Sequence, residues 1–282
     1  MTAGSLQTID ITCDDGIMPA RLWHPPAGSG PAVVVFQEIF GVTDYIQGRC
    51  RDLAELGYVV CAPEIYWRQG HDLRIDDGPE ALQEAMALVR RLDWPSAVRD
   101  GVAALEHVRG LIEVTGRLGL LGFCFGGGLA FNVAAEDAPD ALVSYYGSAL
   151  PDLLHLADDI SGPSLHHFGL ADAFIPVETV EEIEAAVRRS PQARFETYEG
   201  AGHAFDNPNP IFHHADASQA AWGVTIRFLR DTLGGADGGG TGNHEVLARR
   251  KWMRDRENAG GQGIRRVGCR KKDDTHTNNG AV

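Results

Sequence analysis

The order of segments along the chain predicts an α/β fold, with a mainly parallel central sheet and helices on both faces. Short apolar runs alternate with segments of helical periodicity over most of residues 1–234, as in successive βαβ units. The run Ala32–Gln37 is almost continuously apolar, which is typical of a strand covered on both faces. With 44% hydrophobic residues, the chain can bury a large core. Functional residues are therefore expected in the loops at the carboxyl ends of the strands.

Local signals place the elements of the first half of the chain. Asp14-Asp15-Gly16 is a turn sequence between two short strands and predicts a hairpin. Gly57 ends a helix, and Pro95 suits a first helical turn. The predicted elements are strands at 8–12, 19–24, 32–37 and 58–62 and helices at about 44–56, 79–91 and 96–110, with a long loop at 63–78.

The second half continues the alternation and contains an unusual junction. The predicted strands lie at 118–123, 141–146, 163–169 and 193–198, and the predicted helices at about 127–135, 176–189 and 214–232. In Gly122-Phe-Cys124-Phe-Gly126 an apolar strand turns directly into a helix, with a glycine on either side of a reactive side chain. This pattern is typical of a nucleophile elbow, a sharp turn that strains its central residue and needs small neighbours. The usual nucleophile there is serine, whereas this chain has Cys124.

A cysteine is a nucleophile only as its thiolate, so it needs a base within hydrogen-bonding reach and a group that orients the base. Asp172 follows the predicted strand 163–169, and His203 follows the predicted strand 193–198. The order nucleophile, acid, histidine is that of α/β-hydrolase folds, in which each of the three follows a strand. The sequence therefore predicts a triad at one edge of the sheet. Alternatively, Cys124 is a small buried hydrophobe, Asp172 a turn or cap residue and His203 a loop histidine.

A carboxylate and two backbone groups complete the predicted site. Glu38 stands at the end of a buried strand, where a carboxylate is unexpected unless it is used; its alternative interpretation is an exposed turn residue. The backbone N–H groups of Ile39 and of Phe125, which follows the nucleophile, are the expected oxyanion donors. Phe123 and Phe125 flank Cys124, and at least one of them is expected to line a substrate pocket.

Six motifs together resemble the dienelactone hydrolase family (carboxymethylenebutenolidases) of the α/β-hydrolase superfamily. They are Gln37-Glu38-Ile39-Phe40-Gly41-Val42, Tyr66-Trp67-Arg68, Gly122-Phe-Cys124-Phe-Gly126-Gly127, Tyr145-Tyr146-Gly147, Gly169 with Asp172, and Ala201-Gly-His203-Ala-Phe205. The resemblance covers about residues 8–233 and leaves the tail unmatched. The combination of a cysteine elbow with Gln-Glu-Ile-Phe-Gly is quite specific to this family.

The resemblance implies a mechanism and roles for four side chains. Cys124 would attack an ester or lactone carbonyl and form an acyl-thioester. His203 would be the base and later the acid, and Asp172 would orient it. Glu38 would contact the resting cysteine and help to deprotonate the thiol when substrate displaces it. The family uses no metal and no organic cofactor, so none is expected here.

The residues that determine substrate specificity in this family are different in this chain. Dienelactone-cleaving members clamp a substrate carboxylate with two arginines, and this chain has Glu80 and Asn207 at those positions. Arg68 and Arg74 in the long loop could substitute. Tyr66 and Trp67 are expected either to line the pocket or to cover the core. The sequence thus predicts a cysteine-dependent hydrolase of a small activated ester or lactone. The alternative is a catalytically idle member that binds a ligand or a partner.

Charge and cysteine content restrict the expected partners and location. A net charge of −14 argues against nucleic acid or an anionic membrane surface as the main partner of the body. The five cysteines include no CxxC pair, so neither a zinc knuckle nor a dithiol redox site is expected. The chain begins without the features of a signal peptide, and no apolar run approaches transmembrane length. We therefore expect a cytoplasmic protein, as a monomer or small homo-oligomer.

The composition changes abruptly near Gly234. Residues 236–282 hold 10 Lys and Arg against 6 Asp and Glu, whereas the residues before them hold 15 against 33. The sequence predicts a domain at 1–234 and a disordered basic extension at 235–282. The simpler interpretation of the extension is a solvated tail without function. The alternatives are binding to nucleic acid and folding back on the acidic body.

Overall fold

The computed structural model describes residues 5–70 and 80–234, and in this part of the chain eight strands form one sheet. The strands are β1 (Leu6–Cys13), β2 (Gly16–Trp23), β3 (Gly30–Phe36), β4 (Val59–Pro63), β5 (Val114–Phe123), β6 (Ala141–Tyr145), β7 (Ser164–Gly169) and β8 (Ala193–Tyr198). Their order across the sheet is β1-β2-β4-β3-β5-β6-β7-β8. β2 pairs in antiparallel fashion with β1 and β4, and all later neighbours pair in parallel. The predicted mainly parallel sheet is confirmed.

Helices cover this sheet on both faces. They are α1 (Asp44–Glu55), α2 (Ala81–Arg91), α3 (Trp94–Gly110), α4 (Phe125–Glu136), α5 (Leu150–Leu153), α6 (Val177–Val187) and α7 (Ala215–Leu233). Strand residues an odd number apart point to opposite faces. A Cβ built on Gly122 of β5 would meet the backbone of α4, whereas one on Gly119 would meet Leu233 of α7. α4 and α7 therefore lie on opposite faces.

The register of the parallel strands brings their carboxyl ends to one edge. The residue pairs at these ends are Phe36–Gly122, Phe123–Tyr145, Tyr145–His167 and Gly169–Tyr198. Most residues behind them in β3, β5, β6 and β7 are buried, so this part of the edge rests on a packed apolar core, whereas β8 is half exposed. Consequently the loops after β3, β5, β6, β7 and β8 are neighbours, although they are far apart in the chain.

The structure differs from the expectation at two places, the start of β5 and the segment after β6. β5 begins at Val114 rather than at 118, because its first residues alternate between buried and exposed positions and their polar members conceal the strand. The segment after β6, where the pattern predicts no element, forms α5 and a 3₁₀ helix at Leu154–Asp159. The predicted extension at 235–282 and Arg74 of the long loop lie outside the described residues. None of the helices in the described ranges is both long enough and apolar enough to cross a membrane.

Candidate active site

Cys124 lies at the junction between β5 and α4. β5 ends at Phe123 and α4 begins at Phe125, and Cys124 between them has φ 53° and ψ −115°. Positive φ strains a non-glycine residue. The crowded turn tolerates only small neighbours: a Cβ on Gly122 would lie 1.9 Å from the Gly126 carbonyl oxygen, and one on Gly126 would lie 2.4 Å from backbone oxygens at the end of β3. The turn has the geometry expected of a nucleophile elbow.

His203 and Asp172 form a hydrogen-bonded chain with the cysteine sulfur. The Nε2 atom of His203 is 3.0 Å from Sγ of Cys124, and its Nδ1 atom is 2.7 Å from Oδ2 of Asp172. The other oxygen of Asp172 accepts the backbone N–H groups of Phe174 at 2.7 Å and Ile175 at 3.1 Å. Because both carboxylate oxygens are engaged, Asp172 holds the imidazole in one orientation. The structure thus brings the three predicted residues together.

The surroundings of His203 favour its protonated form. Only 13% of its side chain is exposed. Burial would lower the pKa of this imidazole, but the hydrogen bonds to Asp172 and Cys124 outweigh burial and raise the pKa to about 10. A protonated imidazole beside a sulfur stabilises the thiolate. The pair can therefore supply both a nucleophile and a proton.

Strained backbone surrounds the same site. Like Cys124, Tyr146 after β6 and Ala204 beside the histidine have positive φ values, of 36° and 56° respectively. The N–H of Cys124 donates to the Tyr145 carbonyl at 3.0 Å, and that of Tyr146 donates to the His167 carbonyl at 2.7 Å. These bonds continue the sheet and hold the strained residues in place. Strain of this kind clusters at functional sites.

The two predicted oxyanion donors lie on well-anchored backbone. Phe125 is the first residue of α4, so its N–H has no carbonyl partner one turn earlier in the helix. Ile39 belongs to a turn in which the N–H of Gly41 donates to the Glu38 carbonyl at 3.3 Å. The Tyr66 hydroxyl donates to the Ile39 carbonyl at 3.0 Å and fixes this turn. The assignment of the two N–H groups as oxyanion donors stays a prediction.

Glu38 is buried among neutral partners, with 2% of its surface exposed. Its Oε2 accepts the side-chain N–H of Asn207 at 2.7 Å, and its Oε1 accepts the hydroxyl of Tyr146 at 3.5 Å. Burial raises the pKa of Glu38 to about 7, although the hydrogen bond from Asn207 opposes the rise. The resemblance implies contact between Glu38 and the resting cysteine. In the described residues the sulfur contacts His203 instead, and the two carboxylate oxygens of Glu38 bind Asn207 and Tyr146.

Tyr66 and Phe123, two of the three aromatic residues predicted to contact substrate, take different places. The ring of Tyr66 lies 6.0 Å from that of Phe125, next to the elbow, and its hydroxyl binds the turn after β3. Phe123 is fully buried, and its ring packs at 4.8 Å from Tyr145 and 5.5 Å from Tyr45. The expected position of Phe123 in a pocket wall is therefore replaced by a position in the core, because strand alternation turns it inward.

Trp67 and Arg68 are engaged by carboxylates. The Nε1–H of Trp67 donates to Asp100 at 2.9 Å, and Arg68 pairs with Asp100 and, at 2.6 Å, with Asp15 in the β1–β2 turn. The guanidinium also stacks on the Trp67 ring at 4.3 Å. Since the N–H donors of Arg68 already bind two carboxylates, its guanidinium has no free pair of donors for a substrate carboxylate. The structure therefore gives no support to Trp67 or Arg68 as a substrate-binding residue.

Two residues beside the triad have no distinctive sequence signal. Phe174 is 72% exposed, and its ring meets that of His203 edge to face at 5.3 Å. Ser148 donates its backbone N–H to the Cys124 carbonyl at 3.1 Å, and its hydroxyl lies 3.8 Å from the sulfur. Both follow strand ends by a few residues, but only the loop geometry turns them toward the site.

The two adjacent histidines of β7, His166 and His167, contact residues of the surrounding fold. His167 lies 2.9 Å from the Tyr198 hydroxyl and 3.0 Å from the Thr225 hydroxyl of α7, whereas the His166 ring packs against Phe131 of α4. The two rings thus face opposite sides of the sheet, as strand alternation requires. Within the described ranges, no group of three or more His, Cys, Asp or Glu residues is arranged to hold a metal ion.

Comparisons with known sequences agree on one family. The model of the dienelactone hydrolase family matches residues 18–233. Carboxymethylenebutenolidase 1 of Cupriavidus pinatubonensis is 33% identical over 224 residues, which cover 78% of this chain and 95% of that protein. The carboxymethylenebutenolidase of Pseudomonas putida is 33% identical over 223 residues, with 78% of this chain and 94% of that protein covered.

Solved structures show the same fold. A dienelactone hydrolase-like promiscuous phosphotriesterase from metagenomic libraries superposes with a TM-score of 0.69 at 25% identity, and the match covers 83% of this chain and 100% of that one. A dienelactone hydrolase from Anabaena variabilis superposes with a TM-score of 0.63 at 16% identity, and covers 82% of this chain and 100% of its own. The second similarity is one of fold alone.

Proposed function

The chain belongs to the dienelactone hydrolase family and is a hydrolase, and on this premise we propose that it cleaves a small activated ester or lactone through an acyl-thioester on Cys124. The observation that carries the proposal is the 3.0 Å contact between Nε2 of His203 and Sγ of Cys124. The contact continues at 2.7 Å to Asp172, so nucleophile, base and orienting acid are present together.

In the first half of the reaction the Cys124 thiolate attacks the carbonyl carbon. A carbon–sulfur bond forms, and the carbonyl electron pair moves to the oxygen, where the N–H groups of Ile39 and Phe125 stabilise the charge. When this electron pair returns, the bond to the alkoxy oxygen breaks. The leaving oxygen takes the proton from Nε2 of His203, and the acyl group remains on sulfur as a thioester.

In the second half, water hydrolyses the thioester. His203, now neutral, accepts a proton from water while the water oxygen attacks the acyl carbon. The carbon–sulfur bond then breaks, the carboxylic acid leaves, and the thiolate and the protonated His203 are restored. Asp172 keeps Nδ1 of the ring as the donor throughout, so Nε2 always faces the sulfur.

Two features of the site favour a substrate without a carboxylate. Arg49 is paired with Asp206 at 2.6 Å, and Arg68 with two carboxylates, so neither offers a free cation. Asn207 uses its amide to hold Glu38. The exposed ring of Phe174 beside the base supplies an apolar surface instead. We therefore favour an uncharged ester or lactone with an apolar group.

Hydrolysis of p-nitrophenyl acetate and of a dienelactone by wild type and Cys124→Ala tests the proposal. We expect the alanine variant to lose activity on every substrate that wild type cleaves, and wild type to prefer the uncharged ester. Cys13→Ala is the matched control, because Cys13 lies in β1 and its sulfur contacts the Ile11 carbonyl rather than the triad. Full activity of Cys124→Ala would refute the thioester mechanism.

Trapping the intermediate gives an independent check. In His203→Gln the general base for the second half is missing, so we expect an acyl group to remain on the protein after it is mixed with an activated ester. Intact-mass and peptide mass spectrometry should place the added mass on Cys124. An acyl group found on another residue, with Cys124 unmodified, would contradict the assignment of the nucleophile.

A further inference from the structure

A line of polar side chains runs from Glu38 away from the triad. The hydroxyl of Tyr146 lies 3.5 Å from Oε1 of Glu38 and 3.3 Å from the hydroxyl of Tyr45. The Tyr45 hydroxyl in turn donates to Oδ2 of Asp206 at 2.6 Å. Glu38, Tyr146 and Asp206 are each no more than 2% exposed. Bulk water therefore does not compete for the hydrogen bond between Tyr146 and Glu38.

The far end of this line is anchored by an ion pair. Nε and Nη2 of Arg49 donate to the two oxygens of Asp206 at 2.9 and 2.6 Å, and the Ser218 hydroxyl donates to Oδ1 at 2.7 Å. A short hydrogen bond to a carboxylate held in this way is charge-assisted, so the Tyr45 hydrogen is committed to Asp206. The Tyr45 oxygen can then only accept. The hydrogen for its contact with Tyr146 must come from Tyr146.

Tyr146 therefore has one hydroxyl hydrogen and two acceptors. Its contacts with Tyr45 and Glu38, at 3.3 and 3.5 Å, are both longer than the roughly 2.8 Å usual for hydroxyl donors, as expected when one hydrogen serves two oxygens. We propose that this hydrogen binds Glu38 when its carboxyl is ionised and Tyr45 when it is protonated, so that Tyr45 and Tyr146 are positioning residues that set the charge beside the triad. The inference uses the proposed function only in assigning importance to that charge.

Protonation of Glu38 reverses one hydrogen bond in this line. When Glu38 gains a proton, it can donate to the Tyr146 oxygen, while Tyr146 donates to Tyr45. A surface cavity of about 390 Å³ is lined by Tyr45, Arg49 and Asp206 among others, so the outer end of the line meets water.

The ionisable groups around Glu38 come from several elements. His203, from the loop after β8, favours the ionised carboxyl, and Asp206, which precedes Asn207, opposes it. The remaining groups that face the line are Arg49 and Tyr45 of α1, Tyr145 and Tyr146 at the end of β6, and Cys124 at the elbow. Burial raises the pKa of Glu38 to about 7, so both charge states are populated near neutral pH.

Two substitutions that each remove a single oxygen should act on Glu38 in opposite directions. In Tyr45→Phe the hydrogen of Tyr146 has no competing acceptor and binds Glu38 permanently, which favours the ionised form and lowers the pKa of Glu38 by about one unit. In Tyr146→Phe the carboxylate loses a donor, and its pKa rises by about one unit. Tyr58→Phe is the matched control, because Tyr58 precedes β4 at the amino edge of the sheet.

Infrared difference titration of the resting full-length enzyme measures this directly. The band of the protonated Glu38 carboxyl is the one lost in Glu38→Gln, and its midpoint should fall in Tyr45→Phe, rise in Tyr146→Phe and stay constant in Tyr58→Phe. Ultraviolet resonance Raman spectra of wild type, which need no substitution, should show tyrosine hydrogen bonding changing over the same pH range. This measurement covers the case in which a variant does not fold.

Each outcome supports or overturns the inference. Midpoints that move in the same direction in both variants would indicate a general change in burial and would overturn it. Unchanged midpoints would also overturn it. So would a wild-type tyrosine signal that does not change over the pH range in which Glu38 titrates. The titration does not depend on turnover, so it stands apart from the thioester mechanism: activity retained in Cys124→Ala would refute that mechanism and leave the titration result intact.

Discussion

The triad and the cluster around Glu38 are neighbours at the carboxyl edge of the sheet, yet they hold charge differently. His203 is placed between Asp172 and the Cys124 sulfur, and these partners raise its pKa to about 10. Glu38 is more deeply buried, but its direct partners are an amide and a hydroxyl, and its pKa lies at about 7.

The difference shows how the type of partner decides what burial does to an ionisable group. A buried group with ionisable partners keeps one charge over a wide pH range, because the partners offset the loss of hydration. A buried carboxyl with neutral donors loses hydration without a compensating charge, so its ionised form is only marginally favoured. His203 is therefore fixed in charge at neutral pH, whereas Glu38 can change its charge.

The largest expected effect comes from removing the ionisable partner of the base. In Asp172→Asn we expect kcat to fall about 10³-fold or more and the pKa of His203 to fall, because the Asp172 hydrogen bond is what raises it against burial. Ester hydrolysis and NMR titration of the imidazole measure the two effects. Asp158→Asn is the control, since Asp158 is an exposed partner of Arg189. An unchanged pKa of His203 would contradict the conclusion that its ionisable partner Asp172 sets its charge.

Selective alkylation compares the thiol of the triad with a thiol that lacks a base. Burial and the nearby Asp100 raise the pKa of Cys13 to about 12, so almost none of it is thiolate at pH 7. We expect iodoacetamide to modify Cys124 at least about 100 times faster than Cys13, measured by peptide mass spectrometry in a Cys269→Ser background. His203→Gln should remove most of this preference; equal rates for the two thiols in wild type would count against an activated Cys124.

The pH dependence of stability tests whether Glu38, unlike His203, changes its charge near neutral pH. The pKa of Glu38 is raised from 4.5 to about 7, so the folded state binds the proton more tightly, and this contribution is present below about pH 4.5 and is lost as pH rises through about 7. Relative to wild type, we expect Glu38→Gln to gain about 2.5 kcal/mol in free energy of unfolding between pH 5 and pH 8.

Urea unfolding at these two pH values measures the gain. Glu184→Gln, which removes a carboxylate from an exposed pair with Arg188, should change stability equally at both pH values. If wild type and Glu38→Gln had the same dependence on pH, Glu38 would be ionised throughout, and the contrast with the triad would disappear.

The smallest expected effect concerns the apolar surface beside the base. Covering the exposed Phe174 ring with an apolar substrate group contributes about 1 kcal/mol, so Phe174→Ala should lower kcat/KM for an aryl ester about fivefold and leave a small acetate ester almost unchanged. Ile112→Ala is the control, because Ile112 is similarly exposed but lies before β5 at the opposite edge. Equal losses on both esters would point to disturbance of His203 instead.

Much of the site could be predicted because its signals are local. The elbow depends on glycines within two residues of Cys124, and the close contacts at Gly122 and Gly126 follow from the strand-to-helix turn itself. Asp172 and His203 each follow a strand directly, so predicting the strands also placed the two side chains at one edge. The hydrophobic pattern was sufficient for β7 because this strand is buried on both faces. The half-exposed β8 shows alternating apolar and polar residues instead.

Other placements could not be read from the pattern because they depend on distant partners. Glu38 is held by Asn207, 169 positions away in the chain. Arg68 is drawn to Asp100 and Asp15, which only the packing of α3 and the first hairpin brings to the long loop. Long polar side chains reach whichever partner the fold supplies, and nothing in their local sequence names that partner.

The sequence by itself determined the fold class and the placement of Cys124, Asp172 and His203 after successive strands, since both depend on short-range patterns along the chain. Only the tertiary structure decided which groups surround each ionisable side chain, and with them the charge of Glu38 and of His203. The physical reason is that a pKa depends on lost hydration and on neighbours within a few ångströms, and at this edge those neighbours come from five separate loops.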